Sequence, residues 1–184
     1  MTDSEKNIVL IGMPGAGKST VGVVAAKRMG FRFVDSDLVI QEKCGRLLHE
    51  LIEEYGVEGF WKLENDVNAS LDVKRSVIAT GGSVCYEAEA MEHLGRIGTV
   101  VYLALPLSDL QERLGDLNAR GVTLRPGQTL ADLYRERIPL YEKYADITVD
   151  CAGKQLREVA VEICDRIKEA WDVKNGQGTE KTEV

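Results

Sequence analysis

An α/β fold, a parallel sheet covered on both faces by helices, is predicted by three observations. Apolar strand-like runs alternate with helix-patterned stretches along the chain. The first run, Asn7-Ile8-Val9-Leu10-Ile11, leads into Gly12-Met13-Pro14-Gly15-Ala16-Gly17-Lys18-Ser19, which fits G-x-x-x-x-G-K-[ST] at every required position. A helix-permissive stretch from Thr20 to Met29, closed by Gly30, follows. Strand, glycine loop and helix in that order are the context this phosphate-binding loop, the P-loop, requires.

The strands are expected at Ile8–Ile11, Phe31–Val34, Ser76–Ala79, Thr99–Leu103 and Ile147–Val149. Between the second and third, Asp37 to Leu71 reads as a helical insertion. Leu47, Leu48, Leu51, Ile52 and Tyr55 are spaced for one helix face, and Phe60, Leu63, Val67 and Leu71 for another. Residues 114–128, rich in Gly, Asn, Arg and Pro, read as a lid. Both stretches are candidates for closing over a substrate and excluding water. Leu130 to Tyr144 is a helix that Pro139 should kink or interrupt. Gln155 to Trp171 is an amphipathic last helix. One domain over residues 1–172 is expected, with a polar, disordered tail over 173–184.

Composition excludes several classes of function. At 184 residues, 44% hydrophobic and 29% charged, the chain is an ordinary globular domain with a real core. A net charge of −7 without a basic stripe argues against nucleic acid. No apolar run approaches a membrane span. The N-terminus has no signal pattern, so a cytoplasmic monomer without membrane or nucleic-acid partners is expected. The four cysteines, at 44, 85, 151 and 164, are scattered and read as free thiols rather than a zinc site. His49 and His93 have no cluster of ligands around them in sequence.

The residue types of the loop follow from its chemistry. Glycines let successive backbone N–H groups turn inward on phosphate oxygens, and the helix beginning near Lys18 adds the positive end of its dipole. Gly12, Pro14, Gly15, Ala16, Gly17, Lys18, Ser19 and Thr20 are therefore the nucleotide-binding candidates. Lys18 would reach the β- and γ-phosphates of ATP, and the Ser19 hydroxyl would ligate Mg²⁺. Phe33-Val34-Asp35-Ser36-Asp37 places two carboxylates at the end of the second strand, where an open sheet presents its ligand crevice. If that strand continues, Asp35 and Asp37 point the same way, one serving the metal and the other a substrate hydroxyl. Asp35 or Ser36 can equally cap the helix that follows.

With these motifs in place the chain resembles the shikimate kinase family over roughly residues 6 to 170. The P-loop with Thr20-Val21-Gly22, Asp35-Ser36-Asp37 as D-[ST]-D, Phe60-x-x-x-Glu64 as most of F-R-x-x-E, Thr80-Gly81-Gly82 as the start of T-G-G-G, and Arg137-Ile138-Pro139-Leu140-Tyr141 as R-x-P-L-Y occur in order. The resemblance implies a P-loop NTPase architecture: a three-layer α/β/α sandwich with a five-stranded parallel sheet, a substrate-binding insertion and a lid. It implies ATP-dependent phosphorylation of a hydroxyl on a small carboxylate-bearing metabolite, as shikimate goes to shikimate 3-phosphate. It also implies roles. Asp37 would hold the acceptor hydroxyl and take its proton. Asp35 would act on the metal through water. Arg113 would flank the adenine, and Arg120, in the lid, would stabilise the transferring phosphoryl group. Arg137 would grip a carboxylate, with Glu64, Gly81 and Gly82 beside the acceptor.

Two departures fall in the acceptor pocket. Trp61 stands where the family motif has arginine, and Ser83 where it has a third glycine. An indole has one donor and no charge, so losing a buried cation for the carboxylate should cost on the order of 2–4 kcal/mol. Lys62 points about 100° around the helix and is a poor replacement. Both substitutions add bulk and suggest a smaller or reshaped pocket. Trp61 would pack on an apolar substrate face, stack on a cation, or fill core. The alternative acceptor is therefore another small hydroxy acid or an amino acid such as homoserine. Arg125, followed by Pro126, is the alternative to Arg120 as the lid arginine. A nucleoside monophosphate kinase would need several arginines at the acceptor, and the insertion holds only Arg46. A nucleotide-binding regulator without turnover is the remaining rival; the intact phosphoryl-transfer set argues against it.

Overall fold

The order of elements answers the alternation in the sequence. A computed structural model of the chain describes residues 6–114 and 124–176. Strands β1 (Asn7–Ile11), β2 (Arg32–Asp35), β3 (Ser76–Ala79), β4 (Gly98–Ala104) and β5 (Ile147–Asp150) form one sheet in the order β2-β3-β1-β4-β5. Every pairing is parallel, with Ile8 against Val77 and Thr99, Phe33 against Val77, and Val101 against Ile147. The helices are α1 (Lys18–Met29), α2 (Ser36–Cys44), α3 (Leu48–Ala69), α4 (Ala88–Ile97), α5 (Leu107–Leu114), α6 (Leu130–Tyr144) and α7 (Leu156–Gly176).

Position in the sheet explains strand composition. The central strands β1 and β3 are buried at every residue and read as continuous apolar runs. The edge strands β2 and β5 are partly exposed, which is why their runs are shorter and more polar. Asn7 is a buried polar exception that ties three strands together. Its Nδ2 donates to the carbonyls of Val73 and Ile97 at 2.7 and 2.9 Å, and its Oδ1 accepts from the Ser76 N–H at 3.0 Å.

The main core spans the sheet and the helices against it. A second cluster, Ile40, Leu51, Phe60, Trp61 and Val67, lies under the α2–α3 insertion. Helix α3 is two helices meeting at Gly56, whose φ of 68° and ψ of 177° break the helical path. The two hydrophobic faces read in the sequence are these two halves, but Leu47 and Tyr55 are exposed.

Three expectations are corrected. Strand β2 ends at Asp35 and α2 begins at Ser36, so Asp35 and Asp37 do not share a strand face. Asp35 is instead the helix cap: its Oδ1 accepts from the Asp37 N–H at 3.1 Å. Pro139 does not interrupt α6, which runs from Leu130 to Tyr144 as one helix. Arg135, whose carbonyl loses its donor to the proline, lies on the exposed side with Pro139, where water can serve it. Helix α7 reaches Gly176, past the expected domain boundary at 172; the remainder of the expected tail lies outside the described residues.

Candidate active site

The phosphate-binding loop takes the shape that its glycines permit. Gly15 and Gly17 sit at φ 80° and 94°, left-handed values that a side chain would strain. Gly17 caps α1, so the helix N-terminus opens into the loop. The Lys18 ammonium donates to the carbonyls of Gly12 and Met13 at 2.7 and 3.0 Å. Burial lowers its pKa to about 8, against the opposing pull of the Asp37 carboxylate. A buried ammonium beside a helix N-terminus is an arrangement that suits a phosphate.

Ser19 and Asp35, both expected at the metal, come together. The Ser19 hydroxyl donates to Asp35 Oδ2 at 2.7 Å, so the first turn of α1 and the end of β2 share one corner of the cleft. Oxygen donors of this kind, a hydroxyl and a carboxylate, suit a hard divalent cation such as Mg²⁺. Asp37 lies one step further on. Burial, and then the Asp35 charge, raise its pKa to about 6.

A cleft of about 310 Å³ joins these groups, lined by Pro14, Gly15, Gly17, Lys18, Ser19, Thr20, Asp37, Thr80, Gly81, Gly82 and Leu114. The glycine turn after β3 forms its far wall. Thr80 Oγ1 donates to the Leu10 carbonyl at 2.9 Å, and the Gly81 N–H donates to Ser36 Oγ at 3.2 Å. A Cβ on Gly82 would press on the Pro14 ring at 2.8 Å and on Arg137 Nη1 at 3.0 Å. That close approach sets the acceptor side directly against the phosphate loop.

Helix α6 supplies the cation of the acceptor side. Arg137 is 1% exposed, and its Nε donates to the Tyr86 hydroxyl at 3.1 Å. One turn later, the Tyr141 hydroxyl donates to the Gly82 carbonyl at 2.5 Å, and its ring stacks on Tyr102 at 5.3 Å between centroids. Glu64 reaches the same wall from α3. Ser83 Oγ donates to Glu64 Oε2 at 2.5 Å. Burial raises the Glu64 pKa to about 7, which the Ser83 bond partly opposes.

The two departures in this half have structural answers. Ser83 turns its hydroxyl to Glu64. Trp61 is 7% exposed and stacks on Tyr86, centroids 4.1 Å apart. The cation over its ring is the chain's own Arg125, at 4.8 Å, which also pairs with Glu136 at 3.3 Å. Trp61 therefore serves the second core and a cation–π contact, and Lys62 is exposed. Arg120 and most of the expected lid lie outside the described residues.

On the other flank of the loop, a cleft of about 480 Å³ is lined by Gly15, Gly17, Thr20, Arg113, Lys154, Gln155 and Leu156. Arg113, expected beside the adenine, lines this second cleft. Lys154, Gln155 and Leu156 were not singled out in the sequence. The available signal was their place in the loop after β5, at the carboxyl end of a parallel strand. Ser36, Tyr86 and Tyr141 were likewise missed as partners of the glycine turn and of Arg137. Cys85, beside that turn, is buried, and burial pushes its thiol up to about 12, so it packs rather than reacts. No group of three or more metal-ligating side chains occurs among the described residues. No helix among them is long and apolar enough to cross a membrane.

Comparison with known proteins agrees with this geometry. The shikimate kinase family model matches residues 14–168. A shikimate kinase of Thermodesulfovibrio yellowstonii is 38% identical over 175 residues, covering 94% of this chain and 99% of its own. One from Persephonella marina is 34% identical over 164 residues, covering 89% and 99%. The solved shikimate kinase of Acinetobacter baumannii in complex with shikimate superposes with a TM-score of 0.82 at 34% identity, covering 91% of this chain and 96% of that one. A gluconokinase from Sinorhizobium meliloti shares the fold, with a TM-score of 0.62 at 21% identity. The chain belongs to the shikimate kinase family and is a kinase.

Proposed function

We propose that this member of the shikimate kinase family transfers the γ-phosphoryl group of Mg·ATP to a hydroxyl of a small, carboxylate-bearing acceptor. Shikimate is the acceptor that the relatives support. The observation that carries the reading is the wedge at Gly82, between Pro14 of the phosphate loop and Arg137 of the acceptor wall. It sets the Arg137 guanidinium behind Gly82, in the wall of a cleft that Asp37 and Lys18 also line, which supports a guanidinium anchor for an acceptor carboxylate.

The roles rest on this arrangement together with the family's motifs. Loop N–H groups and Lys18 hold the β- and γ-phosphates and balance charge on the transferring group. Ser19 and Asp35 would hold Mg²⁺, which neutralises phosphate charge when bound. Arg137, planar and buried, takes the acceptor carboxylate. That anchor turns the reacting hydroxyl toward Asp37, which accepts its proton as the oxygen attacks phosphorus. An Asp pKa near 6 suits that task at neutral pH, being ionised yet basic enough to matter. Arg113, Lys154 and Gln155 form the base-side wall. Arg120, outside the described residues, is assigned from the family resemblance alone to the transferring phosphoryl group, with Arg125 as the alternative. Residues 1–172 act as one domain, with the insertion at 37–71 and the lid at 114–128.

Coupled ADP release tests the reading. With Mg·ATP, shikimate should raise ADP release far above the acceptor-free rate, and chelating the metal should abolish it. ADP release indifferent to every small hydroxy acid offered would point instead to the nucleotide-binding regulator.

A further inference from the structure

Glu64 is 1% exposed, yet only half of its carboxylate is satisfied. Oε2 accepts the Ser83 hydroxyl, while Oε1 has no hydrogen-bond partner among the described residues. Oε1 is buried against Gly81, a residue that lines the cleft. A Cβ built on Gly81 would collide with it, and would come within 2.9 Å of Asp37 Oδ1. Carboxylates from α2 and α3 thus meet beside one glycine, and the Arg137 guanidinium faces the next, at Gly82. Trp61, three residues before Glu64, brings no charge to this corner, because its ring is occupied by Tyr86 and Arg125.

A buried carboxylate oxygen without a donor is costly, and the cost falls when a cation supplies both the donor and the charge. A neutral hydroxyl would supply only the donor. We infer that the pocket also takes a zwitterionic hydroxy amino acid, its ammonium on Glu64 Oε1, its carboxylate on Arg137 and its hydroxyl at Asp37. This deepens the phosphoryl-transfer reading and rests on it. The step balances in the same way: the side-chain oxygen bonds to the γ-phosphorus, the bond to the β–γ bridging oxygen breaks, and the hydroxyl proton passes to Asp37. The products are ADP and an O-phospho amino acid.

The test is ADP release with Mg·ATP and L-homoserine, L-serine or L-threonine, beside shikimate and 4-hydroxybutyrate, which is homoserine without its amine. At least one amino acid should be turned over, with kcat/KM about 100-fold or more above its deaminated counterpart, since a site with an unmet polar group rejects the analogue that leaves it unmet. Glu64→Gln should bring that ratio down about tenfold or more, with ATP-induced thermal stabilisation reporting that the variant folds. Turnover of shikimate but of no amino acid overturns the inference and leaves the phosphoryl-transfer reading standing. So does equal turnover with and without the amine, which is read on the unmodified chain and needs no variant. A ratio unmoved by Glu64→Gln overturns the assignment to Glu64. ADP release unmoved by every acceptor overturns both readings.

Discussion

The nucleotide half and the acceptor half of the cleft are built on opposite principles. The nucleotide half is made largely of backbone: Gly12 to Thr20 is one continuous turn into a helix, and the Lys18 ammonium is held by carbonyls of that same turn. The acceptor half is made of side chains from α2, α3, the glycine turn and α6, with Glu64 and Ser83 19 residues apart and Arg137 and Tyr86 51 apart. A phosphate is bound the same way whatever it is attached to, so its receptor can be a fixed motif. An acceptor is recognised by its particular charges, so its receptor must be assembled, and it is in this half that Trp61 and Ser83 depart from the family motifs while the loop matches its own.

The largest way to break this comparison is at the point where the halves meet. Asp37→Asn keeps the shape but cannot take the proton, and kcat should fall roughly 10²- to 10⁴-fold. ATP affinity, measured by calorimetry, should move less than about threefold by the same logic of divided roles. A comparable loss of ATP binding would show that the halves are not separable. Next, Arg137→Ala should raise the acceptor KM and lower kcat/KM by roughly 30- to 1,000-fold, the worth of a buried charged partner of about 2–4 kcal/mol. Arg137→Lys should recover only part of this, because a point charge cannot hold a carboxylate bidentately. Full recovery in steady-state kinetics would remove the guanidinium geometry from the account.

Trp61 separates packing from binding. Trp61→Ala should destabilise the fold by roughly 3–5 kcal/mol, through the second core and the lost Tyr86 and Arg125 contacts. Thermal melting reads that change, and ATP should still stabilise the variant. The smallest expected effect is pH. Since kcat/KM reports the free enzyme, it should rise through about pH 6 as Asp37 ionises and fall through about pH 8 as Lys18 deprotonates. Asp37→Asn should erase the acid limb. Glu64 adds a stability effect with a definite sign. Its pKa is raised from 4.5 to about 7, so the protonated form favours folding below about pH 4.5, and that contribution disappears as pH rises through 7. Glu64→Gln should therefore raise the ligand-free melting temperature more at pH 8 than at pH 5, if its amide keeps the Ser83 bond.

What was legible in the sequence was what local rules determine. The loop, the helix behind it and the five strand positions could be read because glycine spacing, helix period and apolar runs act over a few residues. The hydrogen bond between Ser19, in the first turn of α1, and Asp35, at the end of β2, was not legible in the same way, because it joins residues from two elements. Asp35 and Asp37 illustrate the limit. Their chemistry was legible, but whether a strand or a cap holds them depended on where β2 stops, which only its pairing with β3 decides.

The remainder was decided by packing between distant segments. Nothing near Trp61 in the chain says that Tyr86 will lie under its ring and Arg125 over it. Nothing near Glu64 says that one of its oxygens will meet Ser83 while the other is buried beside Gly81 without a hydrogen-bond partner among the described residues. Side-chain period reports which face of a helix is buried, not which neighbour it is buried against. The sequence by itself determined the sheet and the phosphate loop. Only the tertiary structure decided which charges in the acceptor pocket are met and which await a ligand, because that depends on distances between elements that no local pattern encodes.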